Sequence, residues 1–225
     1  MQPVNRWIDL ETPHGPIRGW RAEPTGPSRG AVLVIQEIFG VNAHIRSVAD
    51  RLAAAGFVAL APALFDPVEH GVELTYSDAD LQRGRALTAA LGIPRAMDLL
   101  NAAAEKLQME GLRVGAVGFC WGGTLAFLCA TRLQLPAVGY YGARSVPFLD
   151  ETAGAPLLFH FGGKDPSIPP DDIEKHRKLQ PQAQVFVYDD AGHAFNRDVD
   201  PHAYAPEAAT LAWQRTLAFL EANLR

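Results

Sequence analysis

The chain has 225 residues, 48% of them hydrophobic, and its 20 lysines and arginines against 25 aspartates and glutamates leave a formal charge of −5. That length suffices for one sizeable core, so a single domain over residues 1–225 is expected, and an acidic balance without a large basic cluster argues against a nucleic-acid partner. The opening Met1-Gln2-Pro3-Val4-Asn5-Arg6-Trp7-Ile8-Asp9 has neither an apolar run nor a cleavage site, so nothing in it directs the chain out of the cytoplasm.

In chain order, Val4 to Leu10 and Gly15 to Arg21 alternate as an opening strand pair, with the turn at Thr12-Pro13-His14-Gly15. Ala31 to Ile35 is a continuous apolar run, the pattern of a strand buried on both faces of a parallel sheet, and it ends in Gln36-Glu37-Ile38-Phe39-Gly40-Val41-Asn42. An ionised carboxylate directly at such an end needs a partner or a raised pKa. Glu37 is therefore either a functional acid or a loop carboxylate satisfied by backbone N–H groups. Ile45 to Ala55 reads as an amphipathic helix and Phe57 to Leu60 as the next strand, stopped at Ala61-Pro62, which completes a β-α-β unit. Asp66 to Asp80 is irregular, and helices follow over Leu81 to Leu91 and Pro94 to Leu107, broken at Gly92-Ile93-Pro94.

Val114 to Val117 is a short apolar strand and Thr124 onward a helix, which leaves Gly118-Phe119-Cys120-Trp121-Gly122 on the tight turn between them. A G-x-nucleophile-x-G turn of this kind lifts its central side chain above the sheet while the helix N-terminus aims N–H groups at it. The uncharged stretch from Val114 to Thr131 has the length of a membrane span, but Gly115, Gly118, Gly122 and Gly123 argue against one. The same glycines do not have the spacing of a phosphate-binding G-x-G-x-x-G. An inert buried Cys120 on an apolar turn is the competing reading.

Pro136 to Tyr141, Pro156 to Phe161 and Gln184 to Tyr188 are the remaining strands, Glu174-Lys175-His176-Arg177-Lys178 is a solvated helix face, and Pro206 to Leu224 is the closing helix. Cys120 and Cys129 are the only cysteines; on one helix nine residues separate them by about 13 Å of rise, too far for a disulfide, and Cys129 reads as core filling. The seven histidines form no metal-binding spacing.

Alternating strands and helices predict an α/β chain with a mostly parallel central sheet, helices on both faces and no large lid domain, whose ligands bind beyond the C-terminal strand ends. Glu37, Cys120, Asp165 and His193 each follow such an end. Nucleophile, then acid, then histidine is the chain order of an α/β-hydrolase triad. Cys120 would attack an acyl carbon, His193 would take and return the proton, and Asp165 would fix the imidazole tautomer. The competing readings are Asp165 as a turn former before Pro166, His193 as a loop residue, and His160 as a rival base inside a strand.

These blocks, with Tyr140-Tyr141-Gly142, Gly162-Gly163-Lys164-Asp165 and Ala191-Gly192-His193-Ala194-Phe195, resemble the dienelactone hydrolase family of the α/β-hydrolase fold over nearly the whole chain. The resemblance implies the triad Cys120, Asp165 and His193, Glu37 as the residue that controls the thiol, and an oxyanion hole from the backbone N–H groups of Ile38 and Trp121. A neutral resting thiol that becomes a thiolate only when an anionic substrate arrives is the consequence expected of Glu37 in that role. The resemblance also implies hydrolysis of an unsaturated lactone whose carboxylate is bound by two arginines, matched here by Arg197 and by Arg83, with Arg85 a rival for the second place. The elbow has Phe119 and Trp121 where the best-known members have tyrosine and leucine, and Ala194 stands where they have serine, so a different substrate shape is expected. The expected protein is thus a cytoplasmic monomer acting on a small, anionic ester or lactone, without cofactor, metal, nucleic acid or membrane.

Overall fold

The computed structural model describes residues 4–224; Met1, Gln2 and Pro3, which open the stretch read above for targeting signals, and Arg225 lie outside it. Contacts divide the chain into two compact units, one running to Gly115 and taking in Leu224, the other from Ala116 to Asn223.

The first unit contains β1 (Val4–Leu10), β2 (Ile17–Glu23), β3 (Ala31–Ile35), α1 (Ala43–Ala54), β4 (Val58–Pro62), α2 (Asp78–Leu91) and α3 (Ile93–Met109). β1 and β2 pair antiparallel with Trp7 opposite Trp20, whose rings meet edge to face with centroids 5.6 Å apart. β2 runs antiparallel to β4 and β4 parallel to β3, giving the order β1-β2-β4-β3. Every residue of β3 and β4 is buried, as continuous apolar runs in a covered sheet require. α1 packs on β2, β3 and β4, and its N-terminus is capped by Asn42, whose side chain accepts the Ile45 N–H.

Several boundaries in this unit differ from expectation by a few residues, and two of the differences have a plain cause. α2 starts at Asp78 rather than Leu81, because Ser77 accepts the Asp80 N–H at 3.2 Å and closes a first turn carrying Asp78 and Asp80. β4 continues through Pro62, which is tolerated at a strand end.

The second unit opens within β5 (Val114–Phe119) and continues with α4 (Trp121–Arg132), β6 (Ala137–Tyr140), β7 (Leu157–Gly162), α5 (Pro170–Leu179), β8 (Gln184–Tyr188) and α6 (Pro206–Leu224). Its strands are all parallel in the order β5-β6-β7-β8, so their C-terminal ends share one edge. The charged run Glu174 to Lys178 is the outer face of α5; His176 turns inward, its ring edge-on to Phe159 and Phe161, and burial lowers its pKa.

Candidate active site

The elbow is tighter than its spacing suggests. β5 runs through Phe119 and α4 begins at Trp121, so the turn is Cys120 alone, at φ 53° and ψ −116°. A non-glycine residue at positive φ costs about 1–3 kcal/mol and persists only where its surroundings over-determine it. Here the Cys120 N–H donates to the Tyr140 carbonyl at 3.0 Å, and the Cys120 carbonyl accepts from the N–H groups of Gly123 at 2.9 Å and Thr124 at 3.3 Å. Gly118 is required by contact: a Cβ there would overlap the Gly122 carbonyl.

Asp165 and His193 come from loops after the neighbouring parallel strands β7 and β8. The two loops are laced together, the Gly163 N–H donating to the Tyr188 carbonyl at 2.8 Å and the Lys164 N–H to the Ala191 carbonyl at 2.9 Å. Gly162 allows this crossing, since a Cβ there would press on the carbonyls of Ala191 and Gly192. Asp165 is 4% exposed; its Oδ1 accepts the Ser167 N–H at 2.8 Å, which leaves Oδ2 to bind Nδ1 of His193 at 2.7 Å. Nε2 of His193 lies 3.2 Å from Sγ of Cys120. The structure therefore brings together the three residues read as nucleophile, base and acid.

Burial opposes a charge on His193 more than any other single influence. Hydrogen bonds to Asp165 and Cys120, with the negative charge of both, outweigh it and push the pKa from 6.5 up to about 10. That favours an imidazolium at His193 in the ligand-free protein. Cys129, by comparison, is fully buried within α4 and its thiol is pushed up to about 12, as befits core filling.

The remaining site candidates fall as follows. Trp121 is the first residue of α4, at the helix end that presents N–H groups, and its side chain is buried. Arg197 is 8% exposed, and its Nη1 donates to Oδ2 of Asp200 at 3.1 Å. In the first unit, Glu37 is completely buried just past β3, and Ile38 lies so close to α2 that a Cβ on Gly84 would overlap its carbonyl. Arg83 and Arg85 flank Gly84 on the exposed side of α2, and Arg83 is ion-paired with Glu69. His160, the rival base, is completely buried in β7; its Nδ1 is bound to the Tyr188 hydroxyl at 2.9 Å and its Nε2 to Thr216 Oγ1 at 3.1 Å. Burial, and then the charge of Arg215, hold its pKa well below 6.5. Sequence reasoning missed Ser167 and Asp200 as partners of site residues, and missed Tyr141, whose ring centroid lies 5.2 Å from that of His193. Among the described residues no group of histidine, cysteine or carboxylate side chains could hold a metal ion, and no helix is long and apolar enough to cross a membrane.

The model of the Dienelactone hydrolase family matches residues 17–224 of the chain. The carboxymethylenebutenolidase of Pseudomonas putida is 35% identical over 221 residues, covering 92% of this chain and 90% of that protein. A solved structure from Klebsiella pneumoniae, provisionally assigned as a dienelactone hydrolase, is 30% identical with a TM-score of 0.84 and covers 97% of this chain and 98% of its own. The dienelactone hydrolase of Anabaena variabilis, at 21% identity and a TM-score of 0.72 over the full length of both chains, shares the fold. With a family match over nearly every described residue and an α/β architecture of mostly parallel strands, the chain belongs to the dienelactone hydrolase family of the α/β-hydrolase fold and is a hydrolase of the carboxylic ester and lactone class.

Proposed function

We propose that the protein opens a small, carboxylate-bearing unsaturated lactone, dienelactone to maleylacetate, through a thioacyl-enzyme on Cys120. The observation that carries this reading is the alignment of Cys120, His193 and Asp165, with contacts of 3.2 and 2.7 Å. The Cys120 thiolate adds to the lactone carbonyl, and the oxyanion is met by the N–H of Trp121 at the start of α4. As the ring C–O bond breaks, the departing oxygen takes the proton held on Nε2 of His193 and stays in the same molecule, now joined to the enzyme as a thioester. Water then adds to the thioester, passing a proton back to His193, and the C–S bond breaks to restore the thiolate. Asp165 holds the imidazole orientation throughout. Ile38 as a second oxyanion donor, Glu37 as the group controlling the thiol, and Arg197 with Arg83 as carboxylate ligands are taken into the proposal from the family resemblance. No cofactor enters any step, and a monomer would suffice for it.

A second reading, a carboxylesterase or thioesterase for other small acyl substrates, is favoured by one observation: Arg197 and Arg83 already hold carboxylates of the chain itself, Asp200 and Glu69. Turnover of dienelactone beside a neutral aryl ester, in wild type and in Cys120→Ala, tests both. The proposal expects the dienelactone to have the higher kcat/KM and both activities to vanish with Cys120. Faster turnover of the neutral ester would select the second reading, and turnover surviving in the variant would overturn the mechanism.

A further inference from the structure

Beneath the triad, four elements of the second unit are joined by a buried chain of hydrogen bonds. Arg215 Nη1 of α6 donates to the Tyr188 hydroxyl at 3.2 Å, and that hydroxyl meets Nδ1 of His160 at 2.9 Å. Nε2 of His160 meets Thr216 Oγ1 at 3.1 Å, and Thr216 Oγ1 meets the Tyr140 hydroxyl at 2.6 Å. Thr216, His160 and Tyr140 are completely buried. Because a guanidinium only donates, the Tyr188 oxygen accepts from Arg215 and directs its own proton to Nδ1 of His160. Nε2 of His160 then carries the hydrogen and donates to Thr216. Burial keeps His160 neutral, which suits a ring that accepts on one side and donates on the other.

Both reactive groups hang from the ends of this chain. The Tyr140 carbonyl accepts the N–H of the strained Cys120, and the next residue, Tyr141, donates its N–H to the His160 carbonyl at 2.8 Å and sets its ring against His193 from a backbone φ of 40°. At the other end the Tyr188 carbonyl accepts the Ala191 N–H, and Phe195, two residues past His193, packs on the rings of Tyr141 and Tyr188.

We propose that the Tyr188–His160–Thr216–Tyr140 relay is a positioning network that holds the Cys120 elbow and the His193 loop in register, with Thr216 its central residue. The proposal rests on Cys120 and His193 being the reacting pair but not on the substrate, because the state of the thiol is read without one. Loosening the relay lets Cys120 and His193 drift apart, so the thiolate loses its imidazolium and forms only at higher pH.

The test compares Thr216→Val, which keeps the side-chain shape and removes the hydroxyl, with Thr216→Ser, which keeps the hydroxyl. Both are assayed well below their unfolding temperatures for ester kinetics and for thiolate absorbance against pH. Thr216→Val is expected to lower kcat about tenfold with KM within about twofold, since small misplacements of reacting groups are amplified in rate, and to raise the thiolate midpoint by about one pH unit. Thr216→Ser is expected to restore both. Tyr140→Phe, which cuts the relay at its far end, should repeat the shift and decides the matter if Thr216→Val does not fold. Wild-type kcat and midpoint in a folded Thr216→Val or Tyr140→Phe protein would overturn the proposal. Equal impairment of the Ser and Val variants would overturn it too, by assigning the effect to packing.

Discussion

Cys120 sits at a backbone angle that its own side chain disfavours, which is how a strand-to-helix turn of one residue presents its sulfur to Nε2 of His193. Cys129, nine residues on, shares the thiol but not the setting, because burial alone raises its pKa to about 12. Iodoacetamide at pH 7 is therefore expected to modify Cys120 and spare Cys129, as located by peptide mass spectrometry. Cys129→Ala should keep nearly full activity. For Glu37, the family resemblance argues for a thiol released only by an anionic substrate, against a Cys120–His193 ion pair that persists without ligand. Thiolate absorbance at pH 7 that appears in wild type only with a non-reactive anionic analogue is the outcome expected of gating by Glu37; absorbance already full in ligand-free wild type and unchanged in Glu37→Gln would rule that role out. Arg197→Ala is expected to cost about 2 kcal/mol in kcat/KM for carboxylate-bearing substrates and far less for neutral esters, the worth of a hydrogen bond to a charged group. Equal losses for both classes would show that the Arg197–Asp200 pair supports the loop rather than the substrate.

At the scale of elements, three parallel strands of one unit deliver the triad to one edge, and close backbone contacts set the loops. Gly118→Ala is expected to abolish activity and to cost about 3 kcal/mol by denaturant unfolding, because the added methyl meets the Gly122 carbonyl rather than a yielding side chain. Asp165, His193 and Cys120 were legible from sequence because each follows an apolar run and the order of the three is itself informative. The start of α4 was not: the stretch from Gly118 to Gly122 read as a tight turn with the helix from Thr124 onward, whereas the helix begins at Trp121 and Gly118 and Gly123 serve close backbone approaches. α2 began early because a single serine cap outweighed a polar, weakly patterned first turn. The relay through His160 was invisible, since its partners Tyr188 and Thr216 lie 28 and 56 residues away and only the fold makes them neighbours. Arg197 was read as a ligand for substrate; its partner Asp200, three residues on, requires the turn geometry to be known.

For the whole molecule, the pKa of His193 sets an alkaline boundary. A histidine whose folded pKa is raised contributes its full stabilisation below about pH 6.5 and loses it as pH rises to about 10. Unfolding temperatures measured over that window should fall in wild type, and the decline should flatten in Asp165→Asn, which removes one source of the shift. Activity corrected for spontaneous hydrolysis should likewise persist through neutral pH and decline only as the imidazolium is lost near pH 10, not at 6.5. The central claim is covalent chemistry at Cys120, and rapid quenching of the enzyme with a slowly deacylating ester, followed by mass spectrometry of its peptides, tests it most directly. The account predicts one acyl group on the peptide bearing Cys120, labile to hydroxylamine, formed at the rate of the burst and lost at the rate of turnover. An acyl group on another residue, or turnover with no acyl-enzyme and no burst from an active Cys120→Ala protein, would contradict it.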